Sequence, residues 1–344
     1  MNVEGQPALG RINFPQLMNI DSEHLAHLLS ALEQSRDGAI SGRKLADEFN
    51  IDESEIPALI DVARNFGIQL GRTDEQYILV GPPNFLSPRE VQAELRTVSF
   101  GRCIHHYLQV ESTNDVAKQF AEDGAPEGTL ILAERQTAGR GRFGRKWFSE
   151  SSEGIFASLT LRPRIDPQDA PILNLAAAVA VCEAIEDVCQ IRADIKWPND
   201  LLFNDRKVCG ILAEMKGDPK QLEYLIVGVG INVNHSSFPL FLQNQATSLF
   251  LEGGRAYSRI KVLCRFLEAF ESAYRDVECG RRSAIIDRWS SHSSYAFGKE
   301  VRAQGRRNEI VGKTKGLSET GALRIELSNG VIEEVTSGEV LVWR

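Results

Sequence analysis

Between Gly139 and Trp147 the chain reads G-R-G-R-F-G-R-K-W. Three glycines let a backbone adopt positive φ and approach a ligand closely. Four cations in eight residues suit a phosphate, and Trp147 offers a stacking face. What lies on either side restricts the fold. The run follows an apolar strand at 129–133 and leads towards another at 155–161, not into a helix. It lacks the G-K-[ST] of a P-loop, and it fits G-x-G-x-x-G only formally, since that fingerprint opens a helix. Taken alone, such a run also suits a solvated loop or a nonspecific RNA-binding segment.

The surrounding pattern predicts α+β architecture. Strands at 207–215 and 224–233 and helices at 173–188 and 260–277 fill the centre of the chain. Leu263, Phe266, Leu267, Phe270 and Tyr274 form an apolar stripe on the second helix, which is a core face. Strands outnumber helices and come in runs, so a mixed sheet is favoured over a doubly wound one. The tail differs. Short strands at 300–303, 309–313, 322–327, 331–335 and 340–343, with the hairpin pair Asn329-Gly330, predict a small SH3-like β-barrel. At the other end, helices at 22–32, 44–49 and 54–66 precede a hairpin at 68–80, which reads as a winged helix-turn-helix. Gly81-Pro82-Pro83 makes a linker. The expected division is an irregular segment at 1–20, the winged helix at 21–82, the central domain at 83–295 and the barrel at 296–344.

Composition narrows the function classes. At 344 residues, two or three domains are expected. A net charge of −8 argues against a chain dominated by nucleic-acid binding. The six cysteines include no C-x-x-C pair, so zinc and redox readings lack support, and the thiols read as small buried hydrophobes in a reducing cytosol. The N-terminus shows no export signal. The most apolar stretch, 174–188, carries Glu183, Glu186 and Asp187 and is too short to span a bilayer. A cytoplasmic protein without a membrane segment is expected.

Three further segments carry chemistry. Lys196-Trp197-Pro198-Asn199-Asp200 turns the chain at Pro198 and can aim Asn199 and Asp200 into a site. Asp205-Arg206-Lys207 opens an apolar strand, though Asp205 and Arg206 also suit a solvated hairpin tip. Glu111-Ser112-Thr113-Asn114 precedes a helix, where Ser or Thr is commonly an N-cap. Gly228-Val229-Gly230-Ile231-Asn232-Val233 places glycines inside a strand, a sign of close approach by a ligand or another backbone.

In this order, E-S-T-N, Q-T-A-G-R-G-R-F-G-R-K-W, K-W-P-N-D-L, D-R-K-V-C-G-I-L and G-V-G-I-N-V resemble the biotin protein ligases, from about Gln109 to Val233. The flanking domains resemble those of the longer ligase-repressor type. The resemblance implies ATP-dependent formation of biotinyl-5′-AMP and transfer of biotin to a lysine of a biotin carboxyl carrier protein. It implies that Ser112, Thr113 and Gln136 bond the ureido ring, with Asn114 in the same motif, and that Gly210 gives the ring backbone contact. Arg140, Gly141 and Arg142 would wrap carboxylate and phosphate. Lys207 would be catalytic, with Arg142. Arg145, Trp147, Asn199, Asp200 and Asn232 would serve ATP, Trp147 by packing on adenine. Asp200 would orient its neighbours or help hold Mg²⁺. A homodimer through the central sheet is also implied for some members. The rival readings are a lipoate or octanoate transferase and a non-catalytic, ligand-sensing regulator. Ser112, Thr113 and Gln136 favour a ureido ring over an aliphatic chain, and a sensor has no need of Lys207.

One stretch departs from the ligase-repressor pattern. Residues 41–67 hold three cations (Arg43, Lys44, Arg64) against six carboxylates (Asp47, Glu48, Asp52, Glu53, Glu55, Asp61). Weak or absent binding to operator DNA is expected.

Overall fold

The computed structural model describes residues 22–35, 39–81, 84–149, 152–218, 220–304, 309–338 and 340–342. The expected irregular segment at 1–20, Pro82-Pro83 of the linker and Trp343 lie outside these. The chain divides into two compact bodies, Met1–Arg89 and Glu90–Arg344.

The first body contains α1 (Ser22–Gln34), β1 (Ala39–Ser41), α2 (Gly42–Phe49), α3 (Ile56–Asn65), β2 (Leu70–Thr73) and β3 (Gln76–Leu79). Leu25, Leu28, Leu29 and Leu32 of α1 are buried, as their spacing demands. Ser41 caps α2 by accepting from Lys44 N at 3.2 Å, and Asn50 ends it in the left-handed region at φ 53°. The third helix begins two residues later than its sequence pattern suggests. Residues Glu53–Glu55 form a 3₁₀ turn, and the Glu55 carboxylate reaches back to Asp52 N at 2.9 Å. Pro57 then falls in the first turn of α3, where its missing N–H costs nothing. The strands pair in the order β1-β3-β2, all antiparallel. β1 was not anticipated, because three residues are too few to show alternation.

A short helix, α4 (Pro88–Glu94), spans the division between the bodies. The second body is built on β4 (Ile104–Val110), α5 (Thr113–Glu122), β5 (Leu130–Gln136), β6 (Gly154–Leu161), α6 (Ala170–Cys189), β7 (Asp194–Lys196), β8 (Asp200–Phe203), β9 (Arg206–Gly217) and β10 (Leu222–Asn232). The seven strands lie in the order β4-β5-β6-β10-β9-β8-β7, with only the β4–β5 pair parallel. The sheet is therefore mixed, as expected. Then come α7 (Leu249–Gly253), α8 (Arg259–Glu278) and α9 (Arg282–Ser291). α6 is buried along most of its length and packs against α8, which presents Leu263, Phe266, Leu267, Phe270 and Tyr274. Ala117 and Ala121 of α5 pack on Ile131, Tyr224 and Ile226.

Register places the small residues. Gly228 sits opposite Ser158 on one side and Leu212 on the other. Two residues along, Gly230 sits opposite Phe156 and Gly210, and Gly210 in turn opposite Asp200. Directly paired residues share a face. Gly228, Gly230, Gly210, Ser158 and Asp200 therefore line one face of the sheet.

The chain ends in β11 (Phe297–Gln304), β12 (Glu309–Leu317), β13 (Leu323–Glu326), β14 (Ile332–Val335) and β15 (Val340–Val342), an antiparallel sheet in the order β14-β13-β12-β11-β15. Gly330 takes φ +84° in the β13–β14 turn. Trp197 Nε1 donates to Gly321 O at 3.1 Å, which ties this sheet to the β7–β8 turn. Among the described residues, no helix is long and apolar enough to cross a membrane.

Candidate active site

The glycine-lined face carries a cleft of about 670 Å³. Every residue singled out by the motifs reaches it: Ser112, Thr113, Asn114 and Gln136; Arg140, Gly141, Arg142, Arg145 and Trp147; Asn199, Asp200, Lys207, Gly210 and Asn232.

One end is polar and buried. Ser112 stands at the N-cap position of α5 but makes no side-chain cap bond, so the plain capping role does not account for it. Gln136 Oε1 accepts from Thr113 N at 2.9 Å and lies 3.1 Å from Thr113 Oγ1. Asn114 Nδ2 donates to Glu214 Oε2 at 2.6 Å. Gly228 is needed here, because a Cβ on it would stand 2.0 Å from Asn114 Oδ1. The close approach signalled by this glycine is thus a side chain of the protein itself.

Another part of the lining is cationic. Lys207 Nζ lies 2.6 Å from Asp200 Oδ1 and 5.4 Å from the centre of the Trp147 ring. The backbone of Lys207 is clamped: its N–H donates to Gln245 O at 2.7 Å, and its carbonyl accepts from Thr247 N at 2.9 Å. Asn232 Nδ2 donates to Thr247 O at 3.0 Å and Lys207 O at 3.4 Å, so this residue steadies the lysine as well as lining the cleft. Trp147 lies over the two glycines. A Cβ on Gly230 would meet its ring at 2.5 Å, and one on Gly210 would meet Lys207 Cε at 2.9 Å. The bare backbone of Gly210 thus receives Lys207 and Trp147. Trp147 Nε1 is buried without an acceptor among the described residues.

The glycine-rich loop closes the cleft on one side. Of its three glycines only Gly144 has positive φ, at +73°, and Phe143 shares that region at 57°. Gly139 is required for space instead, since a Cβ would sit 2.6 Å from Ser149 Oγ. Arg140 pairs with Asp115 at 2.5 Å and Glu214 at 3.4 Å. Arg142 Nη1 donates to Gly338 O at 3.0 Å and Asn199 Oδ1 at 3.3 Å. Asn199 is held in turn by donating to Ile211 O at 2.6 Å. The Asn204-Asp205 turn has φ 48° and 65°, as a two-residue hairpin requires, and Arg206 pairs with Glu252 at 2.7 Å outside the site.

Sequence reading missed three contributors. Ser158 and Glu214 look like ordinary strand residues. Those two bond to the lining residues Thr113, Asn114 and Arg140, whereas the segment carrying Phe238, Leu242, Asn244, Gln245 and Ala246 lines the cleft itself. Its apolar run, with Leu240 and Phe241 exposed, was the available signal.

The model of the biotin/lipoate A/B protein ligase family matches residues 107–232, and that of the biotin protein ligase C-terminal domain matches 296–343. The bifunctional ligase/repressor BirA of Bacillus subtilis (strain 168) is 35% identical over 316 residues, 91% of this chain and 97% of that protein. Its namesake in Escherichia coli (strain K12) is 27% identical over 304 residues, 87% of this chain and 92% of that one. The biotin protein ligase of Aquifex aeolicus, solved in complex with biotin and ATP, superposes with a TM-score of 0.61 at 32% identity, covering 71% of this chain and 99% of that one.

Proposed function

The chain belongs to the biotin protein ligase family, and we propose that its cleft joins biotin to ATP as biotinyl-5′-AMP and then passes biotin to a lysine of a biotin carboxyl carrier protein. The observation that carries this reading is the meeting of a buried polar end (Ser112, Thr113, Gln136) with a cationic wall (Arg140, Arg142, Lys207) in one cleft.

In the first step a biotin carboxylate oxygen bonds to the α-phosphorus and pyrophosphate leaves. Two anions must meet, so the chain has to supply positive charge at the developing transition state rather than a nucleophile. Lys207, held in place by Asp200, Gln245 and Thr247, is the residue for that role, with Arg140 and Arg142 on the carboxylate and phosphate. Arg145, Trp147, Asn199 and Asn232 serve the nucleotide. Mg²⁺ would come with the phosphates of ATP and neutralise the leaving pyrophosphate, and Asp200 would help hold it. Asp200 and Asp205 are the carboxylates lining the cleft, a set that fits an ion held mainly by phosphate and water, and no group of three or more His, Cys, Asp or Glu gathers for a metal among the described residues. In the second step the lysine amine attacks the acyl carbon, AMP leaves and the amine loses a proton. The anhydride must be kept from water meanwhile, which is a task for the glycine-rich loop.

The same reading makes the first body a winged helix-turn-helix and the last sheet an SH3-like barrel, and places the protein in the cytoplasm. Pyrophosphate release with ATP is the test. Release that needs biotin, followed by label on a carrier lysine, is expected. Release driven by octanoate or lipoate but not biotin gives the cleft to the lipoate class. No release with any of them leaves a ligand-sensing regulator.

A further inference from the structure

Four buried side chains run in a row at the polar end of the cleft. Asn114 Oδ1 lies 2.6 Å from Ser158 Oγ, Ser158 Oγ 2.8 Å from Thr113 Oγ1, and Thr113 Oγ1 3.1 Å from Gln136 Oε1. Ser158 is wholly enclosed and the other three nearly so.

Both ends of the row are fixed as acceptors. Asn114 Nδ2 faces the Glu214 carboxylate at 2.6 Å and Leu212 O at 3.3 Å. Neither partner can donate, so the amide nitrogen must be the atom turned to them and the amide oxygen the atom turned to Ser158. Burial alone would raise the Glu214 carboxyl. Hydrogen bonds from Lys118 and Asn114, with the charges of Lys118 and Arg140, outweigh it and hold Glu214 below the usual carboxylate range. At the other end Gln136 Oε1 is turned to Thr113 by the Thr113 N–H.

Between these ends stand two hydroxyls. Two protons therefore serve three oxygen–oxygen contacts. However they are shared, both are spent inside the row. Turning the Thr113 hydrogen to the cleft would leave a second contact without a proton, so Ser158 or Gln136 holds it, and one contact always lacks a proton. The row is short of one donor, and what it turns to the cleft at Thr113 can only accept.

We infer that Ser158, Asn114 and Glu214 are positioning residues for specificity: together they hold the Thr113 hydroxyl as an acceptor, so that the cleft selects a ring bringing an N–H to that point. The inference rests on the biotin reading. A ureido ring carries such donors, whereas a dithiolane ring or an aliphatic chain carries none and leaves the buried row unmet.

Calorimetric titration with biotin and with its two cyclic carbamate analogues, each with one ureido N–H replaced by oxygen, tests it. Wild type binds the analogue lacking the N–H for Thr113 about 10–100-fold more weakly than biotin, the cost of an unmet buried acceptor. In Glu214→Gln the new amide can donate to Asn114, which then turns its own nitrogen to Ser158 and supplies the missing proton. Ser158→Ala leaves the Thr113 proton on Gln136 and removes the hydroxyl that could donate to Thr113, so Thr113 stays an acceptor. Glu214→Gln therefore narrows the preference about tenfold, whereas Ser158→Ala keeps it or widens it. Lys118→Ala leaves Glu214 a carboxylate and keeps the wild-type ratio. Ser158→Ala removes one oxygen only, so a folded variant remains even if Glu214→Gln unfolds. Wild type that binds biotin while Glu214→Gln weakens all ligands alike shows a purely structural row and overturns the inference, as does a narrowed ratio in Ser158→Ala. So does wild type indifferent to both carbamates. Wild type that binds no biotin overturns the reading beneath it.

Discussion

Lys207 Nζ lies 2.6 Å from Asp200 Oδ1, and strand register fixes both: Asp200 stands opposite Gly210, three residues beyond the lysine on β9. The carboxylate holds the ammonium at the cleft wall until a phosphate competes for it. Lys207→Ala is expected to lower biotinyl-adenylate formation by about 10²–10³-fold, the usual cost of one electrostatic contact at a transition state. Asp200→Asn, which keeps the shape but drops the charge, is expected to cost less. Single-turnover measurement of adenylate checks both. A Lys207→Ala enzyme working at near wild-type rate removes the lysine from the reaction.

Arg142 joins three elements, since its guanidinium donates to Asn199 of the β7–β8 turn and to Gly338 beside β15 while its backbone belongs to the glycine-rich loop. Two such bonds to a charged donor contribute about 1.5–3 kcal/mol each. Arg142→Gly frees the loop and leaves Lys207 in place. The expected outcome is continued adenylate synthesis with leakage, read as biotin label on bystander proteins mixed with the carrier. Label confined to the carrier, or an inert enzyme, shows that this residue is no gate.

The site was legible in the sequence where chemistry is dense and local, as in the runs through Arg140–Arg142 and Lys207. It was illegible where a role depends on register. Ser158 and Glu214 enter the site only because β6 and β9 both flank β10. Likewise Arg259 meets Glu134 at 2.8 Å and Glu134 meets His106 at 3.1 Å, all three buried, across 153 residues of sequence between Arg259 and His106. No spacing rule links them. β5, β6, β9 and β10 and the helices α6 and α8 were found because apolar runs of that length carry a period. β4 was not, because His105, His106 and Gln109 break its apolar run, and β1, β7 and β8 were not, because three or four residues without a turn signal such as Asn329-Gly330 carry no period. Glycine was read correctly as close approach at Gly228 and Gly230, but the approaching groups are Asn114 and Trp147.

His235 is buried with neither ring nitrogen hydrogen-bonded among the described residues, stacked on Phe238 at 5.2 Å with Phe148 on its flank. Burial, reinforced by the charge of Arg259, pushes its pKa down to about 4. The ordinary value is about 6.5. Above that value the imidazole is neutral in folded and unfolded chains alike and stability is unaffected. As pH falls from 6.5 towards 4 only the unfolded chain takes up the proton, so stability is lost at about 1.4 kcal/mol per pH unit. His235→Phe removes this dependence. Between pH 7 and 4.5 the variant is expected to lose about 2–3 kcal/mol less than wild type by urea denaturation. Equal losses show that His235 is charged or solvated in the folded chain.

The final prediction concerns DNA. The Bacillus subtilis and Escherichia coli relatives named above are ligase/repressors, yet the first body offers few cations to phosphate. Arg64 is committed to Leu70 O at 3.0 and 2.8 Å and to Asp61 at 3.3 Å. Arg72 lies over Tyr77 at 5.7 Å and donates to Asp74 O at 3.3 Å. Glu55 is turned inward as a cap, which removes one carboxylate from the face of α3, but Asp52, Glu53 and Asp61 remain exposed. Arg43 and Lys44 are exposed on α2, outnumbered by those acids and by Asp47 and Glu48 on the same helix. Neutralising phosphates supplies much of the binding energy of any DNA complex. Weak or absent operator binding is therefore expected, with the first body serving as a structural or regulatory module. A gel shift using DNA upstream of the biotin-synthesis genes of the same genome, with biotin and ATP at about 150 mM salt, decides it. A sequence-specific complex at nanomolar protein overturns the prediction and assigns the contacts to Arg43 and Lys44, whose replacement by alanine should then abolish the shift.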